Sequence, residues 1–277
     1  MLRTIAELDI FFGDGDPIVS VAYALILFVF GAVIASFSCL VAYRMTLLEE
    51  GEPILRAISF PPSSCDRCRR RLHAIELVPI VGWLISRGRC RSCGAEIPAR
   101  YPIMELLLGV ACAVPPFLFG GLIPAIPAIL VIATAFLVAI IDWENSIVPE
   151  ELTWVLIFAG LLLSPVETEL QYRVVGAAIG ALGGWLMTTV PGWIRGVDAR
   201  AWGDVAMAAS VGAWIGCFAI PAACLAAAVV HLAICLANGA GKADGRVWTP
   251  FGPALMGVFA AFVSFHPWIM PLIRPDL

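Results

Sequence analysis

Apolar runs about as long as a membrane crossing recur from one end of the chain to the other. The first, IVSVAYALILFVFGAVIASFSCLVAY from Ile18 to Tyr43, contains no charged residue. A helix needs about 20 such residues to cross a hydrocarbon layer of about 30 Å. Comparable runs lie at about 102–120, 123–141, 152–165, 174–194, 205–219, 221–238 and 251–273, with the first at 18–43. One such helix can hide inside a soluble core, but eight cannot. Only 14% of the 277 residues are charged, against roughly 25% in soluble domains, so too few remain to cover a water-facing surface. The expected fold class is an all-α polytopic membrane protein of about eight transmembrane helices, with a small polar insertion between the first and second.

The basic residues orient it. Ten of the 17 lie between Arg44 and Arg100, Arg195 and Arg200 precede Asp204, and Lys242 and Arg246 precede Pro250. With the 44–101 loop inside, fourteen of the 17 face the cytoplasm, as the positive-inside rule requires, and both termini are external. The stretch before Ile18 carries Glu7, Asp9, Asp14 and Asp16 against Arg3, the wrong charge for a signal peptide, so the first span reads as a retained anchor. The expected domains are residues 1–43, an external N-terminus and first helix; 44–101, a cytoplasmic domain; and 102–277, a seven-helix membrane domain.

Five of the nine cysteines are scattered through apolar runs, where thiols act as small hydrophobes. The other four stand in SSCDRC and GRCRSCG as Cys65, Cys68, Cys90 and Cys93. A C-x2-C pair repeated after 21 residues on a cytoplasmic loop points to a closed tetrahedral zinc site of structural type. Redox-active C-x2-C pairs are the alternative. Gly94 suits the turn of a knuckle, and His73 reads as a surface residue rather than a ligand. The arginines around Cys68 have no aromatic residues interleaved as a base-stacking platform needs. They read as neighbours of anionic membrane lipid, and nucleic acid is not an expected partner.

Two acids remain. ATAFLVAIIDWENSIVPEEL ends an apolar run on Asp142, with Glu144 beside it and Pro149, Glu150 and Glu151 beyond, while DARAWGDVAM opens another on Asp204 after Gly203. Ionisable groups at the edge of a span are candidates for function. The alternatives are an interfacial acid for Asp142 and a helix cap for Asp204. The topology puts both at the cytoplasmic face. If their carboxyls converge they cannot both ionise freely, and one can polarise a carbonyl while the other takes a proton from water. No GxSxG or HExxH motif competes, and His73, His231 and His266 are far apart in the chain.

Taken in order, these segments resemble the bacterial prepilin peptidases, or type IV leader peptidases, from about Phe30 to Ala260. GAVIASFSCLVAYR, SFPPSSCDRC, RGRCRSCGAEIPARYPIMELL, IDWENSIVPEELT, AWGDVAM and PFGPAL resemble the successive family motifs, the fifth of them usually written GxGD. The resemblance implies that Asp142 and Asp204 are catalytic aspartates and that the four cysteines bind zinc. It implies an inner-membrane endopeptidase that removes the basic leader of type IV prepilins or pseudopilins at the cytoplasmic face. Members with the cysteine segment are often bifunctional and methylate the new N-terminus with S-adenosylmethionine, so that activity is implied too. Ala201 replaces the first glycine of GxGD, Ala206 and Met207 replace the usual Lys-Leu, Asp198 stands where a glutamate is usual, and Glu150 replaces an aspartate. A catalytically altered paralogue acting in assembly and a proton-coupled transporter are the rival readings.

Overall fold

The computed structural model describes residues 17–47, 62–195, 202–238 and 249–274. Glu7, Asp198, Arg200, Ala201, Lys242 and Arg246, used above for topology or motif, lie outside the described residues. Among the described residues the secondary structure is helical, with two isolated β-bridges and no strand. The helices are α1 (Pro17–Met45), α2 (Val81–Ser86), α3 (Arg100–Ala113), α4 (Pro115–Phe119), α5 (Leu122–Asn145), α6 (Glu150–Leu163), α7 (Leu170–Arg195), α8 (Trp202–Ala237) and α9 (Gly252–Ile273). A 3₁₀ turn occupies Ala74–Leu77.

Among the described residues, six helical stretches are long and apolar enough to cross a membrane: Ile18–Met45, Arg100–Phe119, Leu122–Asn145, Leu170–Val190, Trp202–Ala237 and Gly252–Ile273. Two differences separate this from the eight expected runs. The fourth run forms α6, whose 14 residues measure about 21 Å at 1.5 Å per residue. The sixth and seventh are joined in α8, which is interrupted by a single non-helical residue, Gly216 (φ +76°, ψ 173°).

The chain divides into two compact units, Met1–Ala133 and Thr134–Leu277. In the first, α1 packs on α3 through small residues. A Cβ on Gly31 would meet the Leu108 carbonyl, and one on Gly109 would meet Phe28, so the helices approach to backbone contact as small residues permit in membranes. Glu105 on α3 is 6% exposed and accepts the Ile80 N–H at 2.6 Å, which fixes a residue held at φ +61°.

In the second unit, α8 is the hub on which α6, α7 and α9 pack. Gly176, Gly180 and Gly184 recur every fourth residue on α7 and face Gly212, Ala208 and Val205 of α8 in that order. The two helices therefore run antiparallel. Beyond Gly216 the second limb of α8 runs back, because His231 meets Phe251 edge-to-face with ring centroids 5.5 Å apart and Cys235 lies by Thr249, next to the start of α9.

Candidate active site

Asp142 stands in the last turn of α5. Its side chain is 4% exposed, and its own carbonyl accepts the Ser146 N–H at 2.8 Å as the helix ends. Ser146 takes φ +53°, turning the chain towards Pro149, the N-cap of α6. Pro suits that corner because it starts a helix without needing an N–H partner. One carboxylate oxygen, Oδ2, accepts the N–H of Gly252 at 3.0 Å. Gly252 is the first residue of α9, and a Cβ there would collide with the same Oδ2. Only glycine lets this backbone come so close.

Asp204 lies half-buried in the first turn of α8, inside the helix rather than at its N-cap. Two glycines hold it. A Cβ on Gly203 would come 2.6 Å from the Val148 Cβ, in the α5–α6 turn, and one on Gly184 would come 3.2 Å from the Asp204 carbonyl. Met207, three residues on and fully buried, sits 3.1 Å from where a Gly252 Cβ would be. The start of α8, the foot of α5 and the start of α9 therefore meet at one end of this unit. The Asp142 and Asp204 carboxyls are close enough to interact electrostatically. Of the neighbouring acids, Glu150 and Glu151 are exposed and Glu144 is half-buried.

Sequence reasoning named both aspartates as candidates. It missed the Gly252 amide, reading PFGPAL only as the start of a span. A glycine between Phe251 and Pro253 at a helix start was the available signal.

In the other unit the four cysteines converge, with their Sγ atoms all within 4.8 Å of one another. Cys65 and Cys93 are 3.8 Å apart, and Cys68 and Cys90 are 3.9 Å apart. A zinc tetrahedron with bonds of about 2.3 Å has sulfur–sulfur edges of about 3.8 Å. Sulfurs of both C-x2-C pairs converge on one point, which suits a shared metal better than two separate redox pairs.

The knuckles are copies of one another. Cys65 N–H donates to the Arg70 carbonyl and Cys90 N–H to that of Ala95, while Arg69 and Gly94 donate back to the Cys65 and Cys90 carbonyls. Arg69 and Gly94 both have positive φ, and the bridges Ser64–Arg71 and Arg89–Glu96 close the two turns. Backbone amides act alike on the first cysteine of each. Those of Cys68 and Arg67 lower the Cys65 thiol, and those of Cys93 and Ser92 bring Cys90 down to about 6. Thiolate is the form a metal binds.

Arg70 reaches Glu76 at 2.7 Å, which sets its guanidinium beside the cysteine cluster. Glu76, held at about 2 by the Arg70 guanidinium and then by the His73 amide, keeps that arginine in place. Such groups orient ligands around a metal, and neither residue stood out in the sequence. His73 is exposed and outside the cysteine cluster.

Comparison with known proteins agrees with both units. Residues 29–119 match the family model described as the bacterial peptidase A24 N-terminal domain, and residues 129–236 match that of the type IV leader peptidase family. The prepilin leader peptidase/N-methyltransferase of Burkholderia pseudomallei (strain K96243) is 32% identical over 265 residues, covering 88% of this chain and 85% of its own. The protein of that name from Klebsiella pneumoniae is 34% identical over 198 residues, covering 70% and 86%. That from Pectobacterium carotovorum subsp. carotovorum is 31% identical over 260 residues, covering 85% and 91%. No solved structure matches the chain. With identity of this level over most of the chain, the chain belongs to the type IV leader peptidase family.

Proposed function

We propose that this chain is a prepilin leader peptidase in which Asp142 and Asp204 form the catalytic acid–base pair. The observation that carries the reading is the meeting of three helix ends. A buried carboxyl fixed by a backbone amide stands within electrostatic reach of a second carboxyl at the same end of the unit. One aspartate, ionised, takes a proton from a water held between them, and the oxygen of that water attacks the scissile carbonyl. The other, protonated, donates to the carbonyl oxygen, giving a neutral tetrahedral adduct. The aspartate that gained the water proton then gives it to the departing amine while the other takes a proton back from an adduct hydroxyl, so that the C–N bond breaks to amine and carboxylic acid and the pair is reset. The two titrate as a unit, so neither role is tied to one residue.

The position of the acids at helix ends fits a substrate that is itself a membrane helix, cut where it leaves the bilayer. Glu144, Glu150, Glu151 and Asp198 supply negative charge for a basic leader. The excess of arginine between Arg44 and Arg100 supports a cytoplasmic location for that segment and for the acids, with both termini periplasmic, in the bacterial inner membrane. A relay for proton transport would set its carboxyls near mid-membrane, and these stand at helix ends. Residues 44–101 form the zinc-binding domain and 102–277 the membrane peptidase domain. Cys65, Cys68, Cys90 and Cys93 would hold the zinc, a closed site that supplies rigidity rather than a reacting water.

The relatives' name extends to this chain a second activity, methylation of the new N-terminal amine by S-adenosylmethionine, which supplies the methyl group. No cluster among the described residues marks where that cofactor binds, so no step is derived through it. Co-expression with a prepilin tests the whole reading. Mass spectrometry of the pilin N-terminus is expected to find the leader removed and the amine methylated with wild type. It is expected to find the leader intact with Asp142→Asn or Asp204→Asn. Normal processing by either variant would overturn the assignment.

A further inference from the structure

Glu167 is a buried acid that the reaction does not use. It is 2% exposed and lies in the loop joining α6 to α7, at the far end of α6 from Val148. Charge that deep persists only where it is matched. Arg274, just past α9, brings Nη1 to 3.4 Å from Glu167 Oε2, and the Glu169 amide donates to Oε1 at 3.1 Å. The Arg274 guanidinium also lies 5.1 Å from the Tyr172 ring centroid and 4.7 Å from that of Phe218. Arg173 donates to the carbonyls of Leu161, Ser164, Glu167 and Thr168, tying the loop to itself.

This loop is folded onto the break in α8. A Cβ on Gly216 would come 2.9 Å from Glu167 Cγ, at a φ of +76° that side chains resist anyway. Beside the break, the Ser164 hydroxyl donates to the Trp214 carbonyl. Ser164 Oγ in turn accepts the Val166 N–H at 3.1 Å. The Trp214 indole N–H is held by the Leu156 carbonyl at 2.8 Å. Glu167 and Ser164 therefore serve the one residue pair at which α8 changes direction.

Asp204 lies about 18 Å from Gly216 along the first limb of α8, at 1.5 Å per residue. Over a lever that long, a rotation of about 3° displaces the aspartate by about 1 Å, and misplacement on that scale costs roughly 10²-fold in rate. We propose that Glu167, Arg274 and Ser164 are positioning residues that lock the angle at Gly216 and so set Asp204 against Asp142. This rests on the reading of those two aspartates as the reacting pair. None of the three touches the reacting atoms.

The test uses the full-length enzyme in lipid nanodiscs with a synthetic prepilin segment, and Glu167→Gln, Arg274→Gln and Ser164→Ala. The serine variant removes only a hydroxyl and keeps the test open should a charge variant fail to fold. Each is expected to lower kcat about 10- to 100-fold with KM unchanged. Genetically encoded spin labels in place of Trp143 and Trp202, which are both exposed, are expected to give a broader or shifted distance distribution in the variants. Unchanged distances, with kcat falling only in proportion to folded protein, would overturn the proposal. If Asp142→Asn still cleaves, the peptidase reading fails, and the distance distributions alone then decide whether the angle at Gly216 is held from this loop.

Discussion

The cysteine cluster and the aspartate site are built on opposite plans. The cysteines come from two short turns of identical pattern, 22 residues apart between Cys68 and Cys90, and each turn is closed by its own backbone hydrogen bonds. The aspartate site draws on three helices, one ending at 145 and two starting at 202 and 252. It is held by glycines that let backbones touch and by one amide 110 residues from its acceptor. Local spacing specifies the first; long-range packing specifies the second. The metal site should therefore fail residue by residue and in full, whereas the acid site should degrade in steps that follow distance from the carboxyls.

The largest effect tests the acids themselves. Asp142→Asn or Asp204→Asn is expected to lower leader cleavage roughly 10⁴-fold, the upper range for losing an acid–base group, as measured by single-turnover assay with helicity unchanged. Next comes the metal. Cys90→Ser or Cys65→Ser is expected to take bound zinc from one per chain to none by elemental analysis and to expose the segment around residues 62–99 to protease. Zinc retained by either variant would break the picture of a four-sulfur site.

Gly252→Ala is expected to cost about 10²-fold in kcat, since its methyl group must displace the Asp142 carboxylate; zinc content should not move. A neutral outcome would show that the amide contact is dispensable. The smallest effect is expected for Glu76→Gln, which leaves all four sulfurs in place but loosens Arg70. Zinc release to a chelator should quicken by about 10-fold, the low end for groups that orient metal ligands.

The same contrast explains what could be read in advance. C-x2-C twice over marks candidate ligands because thiol chemistry is specific and the spacing is local. Asp142 and Asp204 each had an ordinary alternative, an interfacial acid and a helix cap, and it was their place in an ordered set of family motifs that singled them out. The Gly252 amide was not, since a backbone donor has no residue type to betray it. Glu167 passed unnoticed because its partner, Arg274, lies 107 residues away. The corner in α8 was expected near 220, beside Pro221, but the chain turns at Gly216, where φ is +76° and only glycine is comfortable. Hydropathy marks where helices are, while close approach and helix breaks depend on what packs against them.

At about 21 Å, α6 falls short of a hydrocarbon layer of about 30 Å. Lipid beside it has to thin, or the helix has to leave one end sunk beneath the headgroups. Were the Val148 end the one that is sunk, solvent would reach that turn at a level where acyl chains otherwise keep it out. Peptide-bond hydrolysis at the membrane's edge consumes a molecule of that solvent in every cycle.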